Sequence, residues 1–334
     1  MSSSISGTGT VTKLGAGTLT LSGNNTYSGG TTISGGTVIA NSADALGSGP
    51  VVINNGATLD NFGTISASIA STAGGANLIN ESGGTITRNI ALGNSANNVH
   101  LFTGSTINGN LNLGSSPGSS LILDGVGTAT ISQAVTGTIT NAGSLTKQGS
   151  GTWTIDKALN APVAVNINAG TLEVNSNLTT ALVNVQAGAM LKGTGVIEGL
   201  VVNAGFLSPG DSPGILTING NYTQTSTGTY NVLILSPTNF TQLVVTGHAS
   251  LAGTLKLTLG SGYVPAAGTQ FSILRAAGGL AERFGMSPPL RDRYSAWRTT
   301  TGLSKFLPAA PSVPAKSCRR NIICRMGRPA ALPP

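Results

Sequence analysis

Residues 11–40 read VTKLGAGTLTLSGNNTYSGGTTISGGTVIA, and residues 145–174 read LTKQGSGTWTIDKALNAPVAVNINAGTLEV. The second stretch aligns with the first without a gap, 134 positions downstream, and nine of the thirty positions are identical. Among them are Thr12/Thr146, Lys13/Lys147, Gly15/Gly149, Gly17/Gly151, Thr18/Thr152 and Gly36/Gly170. A unit repeated within a chain predicts a stacked architecture, in which each copy buries its apolar face only against its neighbours. Inside the unit, Thr18-Leu19-Thr20-Leu21 puts leucine on one face and threonine on the other, the period of a half-buried strand.

The same local pattern, an alternating strand, a glycine turn and a second short strand, recurs along the chain. It is carried by residues 31–38, 51–59, 165–172, 183–191 and 200–207. Its turn glycines Gly36 and Gly56 are 20 apart, and Gly170, Gly188 and Gly205 follow one another at 18 and 17. A rung of that length, with several short strands joined by Gly and Asn turns, predicts an all-β chain folded as a right-handed parallel β-helix. The competing arrangement is an antiparallel sandwich, which also has many short strands; the repeat is longer than a hairpin and keeps a two-strand layout. Gly15, Gly17, Gly36, Gly56, Gly149, Gly151, Gly170, Gly188 and Gly205 are the expected structural turn residues, since glycine tolerates the positive φ that sharp bends often demand.

Only 8% of the 334 residues are charged, against about 25% in an ordinary globular domain. Ser, Thr, Asn and 48 glycines supply the polar surface instead. Such a mix can mean disorder, but the regular aliphatic alternation gives this chain enough apolar surface to offset its ordering entropy. The net charge of +7 is unevenly placed. Residues 1–284 hold eight Lys/Arg and nine Asp/Glu, whereas residues 285–334 hold nine Lys/Arg and one acid. Both cysteines, Cys318 and Cys324, and eight of the fifteen prolines also fall in those last fifty residues. This end is expected to be a disordered basic tail or a frameshift-derived one; a shifted reading of residues 296–302 permits a plausible β-rich continuation. No basic and apolar leader is visible at Met1–Gly7, and no stretch approaches the roughly 18 apolar residues of a membrane helix.

Catalytic, cofactor and metal sites are all expected to be absent. Gly210-Asp211-Ser212 has the look of an esterase nucleophile block, but Ser212 needs a base in reach, and His100 and His248 lie in no catalytic phrase. The stretch between Pro209 and Pro213 reads as a turn. Asp44, Asp60, Glu81, Asp124, Asp156, Glu173, Glu198, Asp211 and Glu282 are scattered singly, so a hydrolase would need folding to bring two together on adjacent rungs. Cys318 and Cys324 lack zinc-type spacing. Gly15-Ala16-Gly17 and Gly193-Thr194-Gly195 lack the third glycine of a dinucleotide loop. Trp153, in the place of Leu19, is expected in the core or on its flank.

The phrase GAGTLTLSGNNTYSGGTTISGGTV, within residues 14–40, resembles the autotransporter-associated β-strand repeat of Gram-negative type V secretion passengers. The copy from Lys147 to Val174 is similar but less regular, with Leu159-Asn160-Ala161-Pro162-Val163-Ala164 replacing the Asn-Thr-Tyr-Ser-Gly-Gly turn. Downstream, residues 193–216, 220–224, 245–255, 263–265 and 271–274 resemble the passenger stretch that precedes the barrel. The resemblance implies three segments: β-helical passenger repeats over 1–199, autochaperone-like rungs over 200–284 and the basic tail over 285–334. It implies a non-enzymatic passenger fragment, a structural or adhesive stalk at the cell surface, outer membrane or outside the cell. Its expected partner is a host-cell or matrix ligand, with no specific nucleic acid and no small-molecule substrate. The chain departs from the family in showing neither a leader nor a barrel, which would leave it in the cytoplasm. The alternatives are a translated remnant without function and a carbohydrate-active β-helix enzyme.

Overall fold

Strands form on both sides of the repeated glycine turns, and they pair in parallel. The computed structural model describes residues 1–54, 56–72, 75–210, 213–282, 285–286, 298–299 and 321–325. It divides into two units, Met1–Val183 and Asn184–Pro334.

In the first unit, Val11–Lys13 pairs with Thr31–Ile33, which pairs with Val51–Ile53, so that Val11, Thr31 and Val51 stack at 20-residue intervals. Ile69–Ala70, Ile90–Ala91, Leu111–Asn112 and Ile139–Thr140 extend this to a seven-stranded parallel sheet. Another parallel series runs through Thr37–Ala40, Thr58–Asn61, Asn77–Asn80, Asn98–Phe102, Ser120–Asp124, Ser144–Lys147 and Ala164–Ile167. Its register places Val38, Leu59, Leu78, Val99, Leu121, Leu145 and Val165 in one column, and every one of them is buried. Each such side chain contributes about 1.5–3 kcal/mol on burial. One rung is longer: between Leu111 and Ile139 the chain makes a helical turn, Ile131–Ala134, capped by reciprocal bonds between Thr130 and Gln133.

The two repeat copies take the same register. Lys13 faces Ile33 and Lys147 faces Ile167, both 20 residues on. Leu19 faces Val38 and Trp153 faces Leu172, both 19 on. Sequence identity at nine positions is therefore matched by identity of pairing.

The second unit continues the principle with longer rungs. Met190–Gly193 pairs with Phe206–Pro209, then Thr229–Ile234, then Thr254–Leu259, all parallel. Val196–Asn203 pairs with Ile215–Asn219 and Tyr222–Gln224; Gln242–Val245 and His248–Leu251 follow, then Gln270–Ala276 and Gly279–Glu282. Aromatic side chains help fill its interior, where Tyr222, Tyr230 and Phe271 are fully buried. The chain is all-β and each unit is a parallel β-helix, not an antiparallel sandwich. Of the basic tail, Asn321–Arg325 is a strand that pairs antiparallel with Gln270–Ala276 and with Arg298–Thr299, and Ile322 is buried. Most of residues 285–334, including Cys318, lie outside the described residues.

Six of the nine turn glycines, Gly15, Gly36, Gly56, Gly149, Gly170 and Gly188, have φ between 64 and 85°. Gly17, Gly151 and Gly205 do not. Gly170 is the most constrained kind, because a Cβ there would also lie 2.5 Å from the carbonyl oxygens of Gly149 and Gly151. Gly17 has ordinary φ and open space around it. Gly170→Ala is expected to lower unfolding free energy by about 2 kcal/mol or more, and Gly17→Ala by less than about 0.5 kcal/mol. Denaturant titration of the two variants compares them, and equal losses would contradict this reading of the corners.

Candidate functional site

Lys13 and Lys147 sit at inward-facing strand positions, where an aliphatic residue is the ordinary choice. Val11–Lys13 and Ser144–Lys147 alternate outward and inward, and the inward parity sends both lysines into the stack. Lys147 is fully buried and Lys13 nearly so. Each ammonium turns into the corner beside its strand. Lys147 Nζ donates to the carbonyl oxygens of Gln148 (2.6 Å), Gly149 (2.9 Å) and Ala169 (3.2 Å). Lys13 Nζ donates to the equivalent oxygens of Leu14 (2.9 Å), Gly15 (2.7 Å) and Gly35 (3.1 Å). Two oxygens come from the lysine's own turn and one from the turn above, so the ammonium ties successive rungs together. Burial draws the Lys147 ammonium down to about 8, partly offset by the attraction of Asp124, which leaves it protonated at neutral pH.

Asn61 and Asn80 stand in the same inward column as Lys147 and act similarly. Asn61 Nδ2 donates to Asn80 Oδ1 (2.8 Å), and Asn80 Nδ2 to the Thr106 carbonyl (3.1 Å). In the second unit Gln224 Nε2 reaches the carbonyls of Ala252 (2.8 Å) and Thr254 (3.1 Å), and Tyr222 Oη donates to Gln224 Oε1 (2.8 Å).

The outward face of the Thr37–Ile167 series carries the other concentration of chemistry. Asp60, Ile79, His100 and Ile122 form one outward column in register. Two residues further along each strand come Phe62, Glu81, Phe102 and Asp124. His100 Nε2 lies 3.0 Å from Asp124 Oδ2, and Gln148 Nε2 donates to the same oxygen at 2.9 Å. The His100 and Phe102 rings stack with centroids 4.5 Å apart. Burial alone would raise the Asp124 carboxyl, but the Gly125 N–H, Gln148 and His100 together hold it below the usual range. Burial raises Asp60, with His100 opposing, and burial plus repulsion from Asp60 and Asp124 raises Glu81. Asp60 Oδ1 is shielded from solvent and has no hydrogen-bond partner.

Acids that are isolated in sequence are thus gathered here, three of them with His100 on one sheet face. Others stay apart: Asp44 accepts from Ser66, Asp156 from Ser132 and Glu198 from Asn219. Among the described residues, no group of three or more His, Cys, Asp or Glu is placed to hold a metal ion. Asp211 and Ser212 lie outside the described residues, and His248 is exposed in the second unit. Trp153 is a core residue, fully buried, with Nε1 donating to the Asp124 carbonyl at 2.8 Å. Sequence reasoning missed the two lysines as functional groups. The available signal was a cation at inward strand parity, kept in both copies.

Lys147→Met removes the donor from three corner carbonyls and should cost about 1–3 kcal/mol, more than Lys13→Met, whose corner is less buried. The pH dependence has a definite sign. The folded ammonium titrates at about 8 and the free one at 10.5, so between these values the unfolded chain binds more protons and stability rises with pH. That rise should shrink in Lys147→Met, as read from melting temperatures at pH 7 and pH 10. Asp60 behaves oppositely. Its folded carboxyl is raised, so ionisation weakens the fold as pH climbs above 3.8. Asp60→Asn should melt above the parent at pH 7 and alongside it at pH 3.

Residues 11–40 and 145–161 match the family model for the passenger-associated-transport-repeat. No curated protein matches the chain. The first match spans the Lys13 corner and the second begins at the strand that ends in Lys147. The chain carries two copies of the passenger-associated transport repeat on a parallel β-solenoid, and these two features together fit an autotransporter passenger.

Proposed function

We propose that this chain works as a non-enzymatic stalk of an autotransporter passenger, a rigid spacer that presents its outward sheet faces for adhesion. The family implies a cell-surface or secreted location. The observation that carries the reading is the recurrence of one corner, with one register, 134 residues apart. A repeat that keeps its pairing and an internal lysine in both copies is suited to holding a surface at a distance. Stacking also suits export: each rung templates the next, and burial with strand pairing supplies the driving force. Residues 200–284 are the rungs we assign to initiating that stacking, since three large aromatic side chains, Tyr222, Tyr230 and Phe271, are fully buried within them.

The chain, fused between an export leader and an outer-membrane barrel, should reach the cell surface and become protease-resistant there as a cooperative unit. Removal of residues 200–284 should leave the remainder exported but protease-sensitive. A resistant passenger without those residues would overturn the assignment, and failure of the complete chain to fold outside the cell would overturn the stalk. A second reading, glycoside hydrolysis, draws on Asp60, Glu81 and Asp124 sharing a face with their protonation pushed in opposite directions. Release of reducing ends from a panel of acidic and neutral polysaccharides, lost in Asp60→Asn/Glu81→Gln, would favour it over the stalk.

A further inference from the structure

We propose that the outward face bearing Asp60, Phe62, Glu81, His100, Phe102 and Asp124 is a docking surface for a lysine- or arginine-rich segment of a partner protein. The inference rests on the stalk reading and names the partner class that one of its faces would hold.

Charge decides the occupant. In a unit with few charged residues, three carboxylates fall on four successive rungs of one sheet face. Among the described residues, no lysine or arginine side chain pairs with them, and only Asp124 has an ionisable partner, His100. The nearest cation along the strands, Lys147, points inward and is consumed by three carbonyls. Burial raises the carboxyls of Asp60 and Glu81, so neither has a cation beside it strong enough to offset its desolvation. A cationic group placed over this face would supply the opposite charge that it lacks.

The apolar groups fit the same occupant. Phe62 is 47% exposed, although it lies beside a charged column. The register interleaves Ile79 and Ile122 between Asp60 and His100 and beyond it. Carboxylates set among rings and aliphatic side chains match lysine and arginine, whose apolar stems lie along such surface while their heads reach the charges. A guanidinium also stacks on aromatic faces. A purely ionic ligand would leave Phe62 without a role. Four rungs at about 4.8 Å spacing extend about 14 Å, the reach of four or five residues of extended peptide.

The test is fluorescence anisotropy with the full chain and a labelled oligo-arginine peptide of about eight residues. A Gly/Ser peptide of the same length serves as the reference. The parent should bind oligo-arginine and not the Gly/Ser peptide, with affinity falling as salt rises from about 20 to about 500 mM. Asp60→Asn/Glu81→Gln should bind about tenfold more weakly, and Phe62→Ala several-fold more weakly. Asp44→Asn/Glu198→Gln makes the same change in net charge elsewhere and should bind within about twofold of the parent. Absence of binding by the parent, or an equal loss in the charge-matched variant, would overturn the proposal. Thermal melts of each variant separate lost binding from lost folding, and Phe62→Ala probes the face without altering charge. Neither overturning result touches the stalk reading, which is tested by export and protease resistance.

Discussion

The fold depends on how its corners satisfy backbone carbonyls that the strand ladders cannot reach. Along a strand, each N–H finds the carbonyl of the next rung. At a tight bend the carbonyls point into the stack, where water is excluded and an unmet acceptor costs about 1–3 kcal/mol. The repeat's answer is a lysine whose flexible stem lies among aliphatic neighbours while its ammonium collects three oxygens, one of them from the next turn. That bond crosses rungs, so it fixes register as well as satisfying the acceptors. Other corners use neutral donors: Asn61 Nδ2 and Gln224 Nε2 also reach three oxygens each, and Asn80 Nδ2 reaches the Thr106 carbonyl, with no charge to desolvate.

This explains why glycine and lysine recur together. Gly36 and Gly170 line the space that the ammonium enters: a Cβ on Gly36 would lie 2.7 Å from Lys13 Nζ, and one on Gly170 would lie 2.8 Å from Lys147 Nζ. The glycine serves backbone conformation and leaves room for the cation at once. Inward apolar positions exchange one side chain for another, as Leu19 for Trp153, while the lysine and the corner glycine stay; the outward positions carry the polar groups. There the chain carries Thr, Asn and Ser and, on the face of the Thr37–Ile167 series, acids interleaved with aromatic rings.

Much of the fold was legible in the sequence because its rule is short-ranged. Alternation in Thr18-Leu19-Thr20-Leu21 and the spacing of Gly36 and Gly56 state the strand period and the rung length directly. The pairing partners then follow from stacking, as Leu19 with Val38 illustrates. The acid and aromatic face was not legible. Asp60, His100 and Asp124 are separated by tens of residues, and they meet only because the rungs between them have lengths that keep every strand in register. The corner role of Lys147 was hidden for a different reason: sequence parity places it inside, but the oxygens that receive it belong to backbone, which has no signature in the residue letters. The strand Asn321–Arg325 was likewise illegible in a basic, proline-rich stretch, because its partner, Gln270–Ala276, is distant in the chain.

The most direct test of the corner is nitrogen-detected or 15N-edited NMR of the lysine side chains. An ammonium in solvent exchanges its protons too fast to be seen at neutral pH, whereas one held by three carbonyls is protected. The account predicts protected ammonium signals of which one is lost in Lys13→Met and another in Lys147→Met, with the Lys147 signal the slower of those two to exchange. Lysine ammonium protons that all exchange at the solvent rate would contradict it.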